Sequence, residues 1–178
     1  MAVRPIRRYP DPVLKQRSEP VARITPEIVE LCRDMAETMY AAPGVGLAAN
    51  QVGVLLRIFT ADCSGPDEPR QLITMINPEL VEAKGEVKEE EGCLSVPDYF
   101  APVTRYAEVT VRGLDLEGRE QVVTASGLLA RCFQHELDHL DGRLFVDRLG
   151  PVKRDLFRRR YRKYLAAREE ADAPRGAR

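Results

Sequence analysis

The chain contains no tryptophan, and only 6% of its residues are aromatic. So low an aromatic content disfavours a surface on which single-stranded nucleic acids stack. The formal net charge of −1 gives no general attraction to DNA or to a membrane surface, so any charged binding surface has to be local. Apolar runs are also short, since none approaches the roughly 20 residues that a transmembrane helix requires.

Signals for export and for disulfide formation are scarce as well. The first eight residues carry three arginines and no apolar core of the kind that signal peptides have. The four cysteines, at positions 32, 63, 93 and 132, form no Cys-x-x-Cys pair. A chain of this size without an export signal does not need disulfides. We therefore expect a cytoplasmic protein with reduced thiols, which are available as metal ligands.

The composition is that of a globular protein. Hydrophobic residues make up 44% of the 178 residues and charged residues 31%, which is enough apolar material for one domain with its own core. We expect that single domain to span residues 1–170. The last residues, 171–178, are predicted to form a flexible tail.

The pattern of helix and strand signals predicts an α+β fold. Thr25-Pro26-Glu27 has the features of a helix start, and Pro43-Gly44 ends that helix. A second helix is predicted from Ser126 to about Leu140, and a C-terminal helix over residues 151–168. The predicted strands are residues 52–60, 71–76, 80–83, 87–89, 108–114 and 121–124. Strands without alternating helices favour antiparallel sheets.

Both histidines of the chain fall in one pentapeptide, His135-Glu136-Leu137-Asp138-His139. Residues four apart share a helix face, so both imidazoles can reach one ion. Glu136 lies beside the first imidazole, where it can act on a water molecule without binding the metal itself. This is the pattern of zinc hydrolases. The alternative is a solvated helix face, which the apolar residues around the motif disfavour.

A catalytic site of this kind usually has a third protein ligand. Glu169 and Glu170 are acidic candidates, but they lie at a charged helix end. Cys132 precedes His135 by three residues, although a cysteine in an apolar helix is more often a small core residue. Cys93 follows Gly92 in an extended turn that suits a backbone approaching an ion, and it is the favoured candidate.

A glycine-rich segment precedes the first predicted strand. Gly44-Val45-Gly46-Leu47-Ala48-Ala49 satisfies the G-x-G-x-x-A pattern of dinucleotide sites. That pattern requires a strand before it and a helix after it, whereas here a helix precedes and a strand follows. A tight turn, or a backbone brought close to a ligand, fits better, with Gln51 as an amide donor at its end.

Three segments together resemble the signature motifs of the bacterial peptide deformylases, in the same order and at similar spacing. They are Gly44-Val45-Gly46-Leu47-Ala48-Ala49-Asn50-Gln51, Glu91-Gly92-Cys93-Leu94-Ser95, and Gln134-His135-Glu136-Leu137-Asp138-His139-Leu140-Asp141-Gly142. The likeness extends from about Val3 to Arg148. It implies antiparallel sheets packed around a central metal-binding helix, with a further helix at the C-terminus. It also implies that the chain removes the formyl group from N-formylmethionine on nascent polypeptides.

The resemblance further implies a role for each motif residue. Cys93, His135 and His139 would bind one divalent metal ion, physiologically Fe(II), with zinc, nickel or cobalt as alternatives. Glu136 would be the acid and base. A dication bound by one thiolate and two neutral imidazoles has a net charge of only +1, which makes a nearby carboxylate more important for activating water.

The remaining motif residues would bind the substrate. Gln51 and the backbone N–H of Leu94 would polarise the formyl oxygen, and the backbone of Gly46 would hold the peptide. The expected walls of the methionine pocket are Val45, Leu128 and Cys132.

Some positions depart from the family pattern. Asn50 stands where members often carry proline or threonine, which bears on loop stiffness. Phe100 stands where some members have arginine, and Arg131 where an apolar residue often lines the methionine pocket. These two positions bear on side-chain specificity and leave the reaction unchanged.

The C-terminal helix is strongly basic. Such a run is usually only a solvated helix face. In the resembled family this helix can dock on the ribosome, so a contact with ribosomal RNA is a second interpretation. Its basic residues are Lys153, Arg154, Arg158, Arg159, Arg160, Arg162, Lys163 and Arg168.

Two other functions are compatible with a metal motif. A general metallopeptidase would cut internal peptide bonds, and a metal-binding or ribosome-associated module would have no catalytic activity. The presence of Gln51 and Glu136 disfavours the second alternative, because a module that only binds needs neither side chain.

Overall fold

The structure is a computed structural model that describes residues 2–172. Its helices are α1 Pro26–Ala41, α2 Gly127–Leu140 and α3 Pro151–Asp172. Its strands are β1 Gly46–Ala48, β2 Ile58–Ala61, β3 Ile73–Lys84, β4 Val87–Cys93, β5 Val96–Arg105, β6 Glu108–Leu114 and β7 Glu120–Ser126. Short 3₁₀ helices lie at Pro12–Lys15, Ala49–Val52 and Phe145–Arg148. None of the described helices is both long and apolar enough to span a membrane.

All strands pair in antiparallel fashion. Five of them form one sheet in the order β1-β2-β3-β6-β7, so that β1 is an edge strand. The other two, β4 and β5, form a separate two-stranded sheet. The α+β class with antiparallel sheets and a C-terminal helix is therefore confirmed.

Helix α2 contacts several strands of the larger sheet, namely β1, β2, β6 and β7. Its apolar face supplies fully buried side chains, among them Phe133, whose ring centroid lies 5.4 Å from that of Phe59 on β2. Burying an aromatic side chain of this size is worth roughly 1.5–3 kcal/mol. Packing against the sheet therefore fixes how far the helix is rotated about its axis, and with it the direction of the histidines.

Helix α1 packs beside β1 and β2 and forms a second apolar cluster. Pro26 occupies its first turn after Thr25, as the sequence predicts. The buried positions of this helix are Leu31, Cys32, Asp34, Met35, Ala36, Thr38 and Met39. The cluster supports the glycine-rich segment that follows the helix, because Leu47 and Ala49 belong to it.

The C-terminal end of α2 is held by the N-terminal part of the chain. The backbone N–H of Ser18 donates to the carbonyl of Leu140 at 2.9 Å. Gly142 adopts a positive φ of 73°, and a Cβ there would lie 2.5 Å from the backbone oxygen of Lys15. Only glycine fits this close approach, so the helix carrying His139 ends at a fixed point.

The structure differs from the sequence prediction in several elements. β3 is one continuous strand whose pairing with β6 shifts register at two places, where two separate strands were predicted. β1 and β5 were not predicted as strands. The strand predicted over residues 52–60 overlaps β2 only at residues 58–60, and its first residue, Val52, is the end of a 3₁₀ helix. β6 matches its predicted span, residues 108–114.

The C-terminal helix is longer than predicted. Helix α3 reaches Asp172, four residues past its predicted end, and so includes the first two residues of the predicted tail. The rest of that tail, residues 173–178, lies outside the described residues. By backbone contacts the chain divides into two compact units, with the boundary after Phe145. The single domain over residues 1–170 stays a prediction.

Candidate metal centre

Three side chains from two elements meet at one point. His135 and His139 lie on one face of α2, with their Nε2 atoms 3.2 Å apart. Cys93, the last residue of β4, brings its Sγ to 3.3 Å from Nε2 of His139. The three ligand atoms lie within 4.8 Å of one another, and this is the set of three that could hold a metal ion in the described chain. Cys132, Glu169 and Glu170 do not belong to it.

The donor set fits a divalent metal ion. A tetrahedral site with bonds of about 2.0 Å to nitrogen and 2.3 Å to sulfur has ligand atoms about 3.3–3.6 Å apart. The two distances that join His139 to its neighbours, 3.2 and 3.3 Å, lie just below that range and at its lower limit. Three protein donors leave one position open for water or substrate, as in catalytic sites.

A buried charge network holds His135. Its Nδ1 lies 3.0 Å from Oε2 of Glu91, which also accepts a hydrogen bond from the guanidinium of Arg105. Arg105 is only 3% exposed and forms a second ion pair, 2.6 Å long, with Asp138 of α2. Burial alone would raise the pKa of Glu91, but the hydrogen bonds from Arg105 and His135 hold it at about 2. Glu91 is thus a fixed anion that orients the imidazole.

Glu136 follows His135 on α2 and is 3% exposed. Burial raises the pKa of its carboxyl to about 7. Within residues 2–172 its Oε2 has no hydrogen-bond partner, which is costly for a buried oxygen unless something else binds there. A Cβ on Gly46 would collide with Oε1 of Glu136 and lie 2.7 Å from Sγ of Cys132. The β1 backbone therefore runs directly over the carboxylate.

The side chain of Gln51 also approaches the sulfur of Cys93. Its Oε1 accepts a hydrogen bond from the backbone of Ala48 at 2.9 Å, which turns its amide nitrogen toward the site. That nitrogen donates to Oγ of Ser95 at 3.1 Å and lies 3.7 Å from Sγ of Cys93. The segment before α1 also contacts Gln51, because the backbone N–H of Arg7 donates to the carbonyl of Gln51.

A cavity of about 660 Å³ opens beside these groups. Its wall includes the predicted substrate residues, although Leu128 and Val45 keep about 45% of their surface exposed at the mouth. Phe100 and Arg131, the two positions that depart from the family pattern, also line it. The predicted site residues in the cavity wall are Val45, Gly46, Gln51, Cys93, Leu94, Leu128, Cys132, His135 and Glu136. His139 does not line the cavity and is fully buried.

Sequence reasoning missed the network that supports the ligands. Glu91 and Asp138 stand inside the recognised motifs, but their pairing with Arg105 was not foreseen. One signal was available, since Asp138 is an ionisable residue on a helix inferred to be buried and so requires a partner. Nothing in the sequence identifies Arg105 as that partner, because 33 residues separate the two.

A Cys/His/His centre beside a buried glutamate, set in antiparallel sheets, defines the class of metal-dependent hydrolases with a His-Glu-x-x-His helix. The sequence model of the family described as polypeptide deformylase matches residues 3–155. The chain belongs to this family.

Individual proteins that are similar to the chain are also peptide deformylases. A peptide deformylase of Syntrophobacter fumaroxidans is 52% identical over 165 residues, covering 93% of this chain and 97% of the relative. One of Rhizobium meliloti is 49% identical over 169 residues, covering 94% and 97%. Among solved structures, a peptide deformylase from Legionella pneumophila superposes with a TM-score of 0.87 at 44% identity, covering 97% of this chain and all of that one. The enzyme of Thermus thermophilus gives 0.84 at 42%, covering 93% and 96%.

The buried network yields a stability prediction. Replacing Arg105 with Met should lower the free energy of unfolding by roughly 3–5 kcal/mol, because two buried carboxylates lose their counter-charge. Arg112→Met is the matched control. Arg112 pairs with Glu79 at 2.8 Å, but both side chains are about half exposed, so the change should be within about 1 kcal/mol. Urea unfolding of both variants measures the two changes. An equal loss of unfolding free energy in both would contradict the stabilising role of the buried network.

Proposed function

We propose that the chain removes the N-terminal formyl group from formylmethionine of nascent polypeptides and releases formate. Membership of the polypeptide deformylase family makes it a hydrolase of this class. The observation that carries the proposal for this chain's own residues is the convergence of Cys93, His135 and His139 on one point beside Glu136, at a cavity open to solvent.

The metal ligands in this proposal are Cys93, His135 and His139. A thiolate and two imidazoles suit Fe(II), zinc, cobalt and nickel, and we propose Fe(II) as the physiological ion on the resemblance to the family. When bound, such an ion supplies Lewis-acid activation of water and of the formyl carbonyl. Glu91 contributes indirectly, since it accepts from Nδ1 of His135 and leaves Nε2 as the donor atom.

Glu136 is proposed to move the proton. Its buried carboxylate has one oxygen without a hydrogen-bond partner among the described residues, so that oxygen can accept a proton from the attacking water. The same carboxyl then gives the proton to the amide nitrogen as the carbon–nitrogen bond breaks. The products are formate and a peptide with a free amino terminus.

Gln51 and the backbone N–H of Leu94 are proposed to stabilise the developing negative charge on the formyl oxygen. The amide of Gln51 is fixed by Ala48 through its oxygen and by Ser95 through one N–H, so its other N–H needs no reorganisation during the reaction. Preorganised donors of this kind are often the largest single contribution to a hydrolase's rate. Leu94 follows Cys93 directly, which places its N–H beside the thiolate.

The peptide chain is proposed to bind along β1. This strand is an edge of the five-stranded sheet, so its outer side can pair with an extended peptide. Gly46 lets that backbone approach Glu136, because any side chain there would collide with the carboxylate. Val45, Leu128 and Cys132 are then the walls around the methionine side chain.

A general metallopeptidase is the alternative reaction for the same donor set. The 3.7 Å distance from the Gln51 amide nitrogen to the Cys93 sulfur, and the close passage of the Gly46 backbone over Glu136, favour a small acyl group at this point over an internal peptide bond. A module that binds metal without catalysis would not need a buried, unpaired carboxylate oxygen beside the ligands.

The basic helix α3 is proposed to contact the ribosome, where formylated nascent chains emerge in the cytoplasm. Seven of its eight basic residues are exposed, and the described ion pair within the helix joins Arg159 to Asp155. An exposed basic helix of this length can bind the phosphates of ribosomal RNA.

Separate variants should distinguish the proton carrier from a ligand. Glu136→Gln should keep one metal ion per chain and lose turnover by about 100-fold or more, since general base catalysis is worth that much. Cys93→Ala should lose the metal, whereas Cys132→Ala should keep it. Metal analysis and a formyl-Met peptide assay on each variant provide the test. Loss of the metal in Glu136→Gln would make that residue structural.

Selectivity should separate deformylation from general peptide hydrolysis. A formyl-Met-Ala peptide should be cleaved at its formyl amide, the acetyl analogue much more slowly, and the internal bond not at all. Formyl presents a hydrogen where acetyl presents a methyl group, and its carbonyl is more open to attack by water. The measurement is kcat/KM for the three bonds on one metal form. Cleavage of the internal bond would exclude the deformylase assignment and leave a metallohydrolase.

Ribosome binding should depend on the charge of α3. Arg158→Glu with Arg162→Glu should abolish cosedimentation with bacterial ribosomes at low salt, because both side chains are exposed on one helix face. Arg112→Glu with Arg119→Glu makes the same charge change on the β6–β7 hairpin and should leave binding intact. Deformylation of a short free peptide should be equal in all forms. Equal binding by both double variants would overturn the proposed contact.

A further inference from the structure

Two cysteines that are not in the ligand set lie in contact with each other. Cys132 is a buried residue of α2, and Cys63 is a half-buried residue two positions after β2. Both belong to the same apolar cluster, Cys132 as a member and Cys63 packed against it. The two thiols interact closely enough for each to shift the pKa of the other. The remaining cysteine outside the ligand set, Cys32, is buried in the other cluster.

The backbone fixes this contact. The carbonyl of Val45 accepts a hydrogen bond from the backbone N–H of Asp62 at 2.9 Å, and it also receives Sγ of Cys132 at 3.5 Å. Cys63 is the residue that follows Asp62. One carbonyl group therefore ties the start of the Cys63 segment and the Cys132 side chain to the same point beside β1.

The two thiols differ in acidity. The interaction with Cys132 lowers the pKa of Cys63 and outweighs burial, with a further lowering contribution from the Arg131 guanidinium. The same interaction, together with burial, raises the pKa of Cys132. Burial alone raises the pKa of Cys32 to about 11. Cys63 is also less buried than Cys132, so it is the sulfur that a reagent from solvent reaches first, and the thiolate is the reactive form.

We propose that Cys63 and Cys132 form an oxidisable dithiol that hydroperoxides convert to a disulfide. The sulfur of Cys63 attacks one peroxide oxygen, the oxygen–oxygen bond breaks, and the leaving oxygen takes up the thiol proton as water or an alcohol. Cys63 is then a sulfenic acid. The sulfur of Cys132 displaces its hydroxyl group, which leaves as water with the Cys132 proton. Two thiols and one hydroperoxide give one disulfide, one water and one alcohol or second water.

The consequence for activity rests on the function proposed above, whereas the disulfide does not. Cys132 lines the cavity where the methionine side chain is placed, while Cys63 is not part of its wall. Drawing the Cys132 sulfur toward Cys63 breaks its contact with the Val45 carbonyl and moves one wall of that pocket. A thiol reductant restores the original wall.

The test uses the nickel-loaded enzyme, so that oxidation of an iron centre does not contribute. Wild type, Cys63→Ser and Cys32→Ser are treated with hydrogen peroxide, digested without reductant and mapped by mass spectrometry. Wild type and Cys32→Ser should show a peptide pair cross-linked through Cys63 and Cys132, and dithiothreitol should remove it. In both proteins kcat/KM for a formyl-Met peptide should fall about tenfold or more and recover on reduction, because a displacement of methylene size in an apolar pocket costs that much.

Cys63→Ser is the deciding variant, since the serine side chain cannot form a disulfide and residue 63 lies outside the cavity wall. It should have the basal activity of wild type and keep it after peroxide. A map in which Cys93 is oxidised and no Cys63–Cys132 cross-link forms would overturn the dithiol. Equal inactivation of Cys63→Ser and wild type would do the same. A cross-linked enzyme with unchanged kcat/KM would overturn the effect on the pocket.

Discussion

The guanidinium of Arg105 joins the two elements that carry the three candidate ligands. It binds Glu91 on β4 at 2.7 Å and Asp138 on α2 at 2.6 Å, in surroundings that leave it 3% exposed. Removing either partner would leave a buried charge without compensation, so the two ion pairs act as a unit. Because β4 ends at Cys93 and α2 carries both histidines, the position of the thiolate relative to the imidazoles depends on residues that touch no substrate.

The same network makes the two imidazoles unequal. His135 has its Nδ1 bound to an anion, so its tautomer and ring plane are set by a hydrogen bond. His139 has no partner for Nδ1 in the part of the chain that the structure describes, and its ring is held by burial and by the contacts of its Nε2 with Cys93 and His135. Asn50 compensates at the backbone, where it donates to the carbonyl of His139 at 2.6 Å. The residue that departs from the family pattern here therefore contacts the helix behind the site.

Local rules explain which parts could be predicted from the sequence. The four-residue spacing of His135 and His139 on a helix places both side chains on one face. The turn at Glu117-Gly118 lies between β6 and β7, so both strands can be predicted from it. β1 is only three residues long and exists through its pairing with β2, while the two prolines of β5 hide a strand whose partner is β4. Glu89, Glu90 and Glu91 look alike in the sequence, and only the pairing of β4 with β5 leaves Glu91 as the buried one. Such choices depend on tertiary contacts that no local pattern contains.

The rotation of α2 about its axis decides where the ligands, the pocket wall and the charged residues of this helix lie. At about 100° per residue, positions 128, 132, 135 and 139 fall within about 60° of arc, so pocket wall and ligands share one face. Asp138 lies to one side of that face and binds Arg105, and Glu136 lies to the other side, under the β1 backbone. A rotation of one residue would remove every one of these contacts together. The close approach of Gly142 to Lys15 at the end of the helix, and the packing of Phe133 on β2, hold that register. The chemistry of the site therefore depends on the position and rotation of α2 more than on any single side chain of that helix.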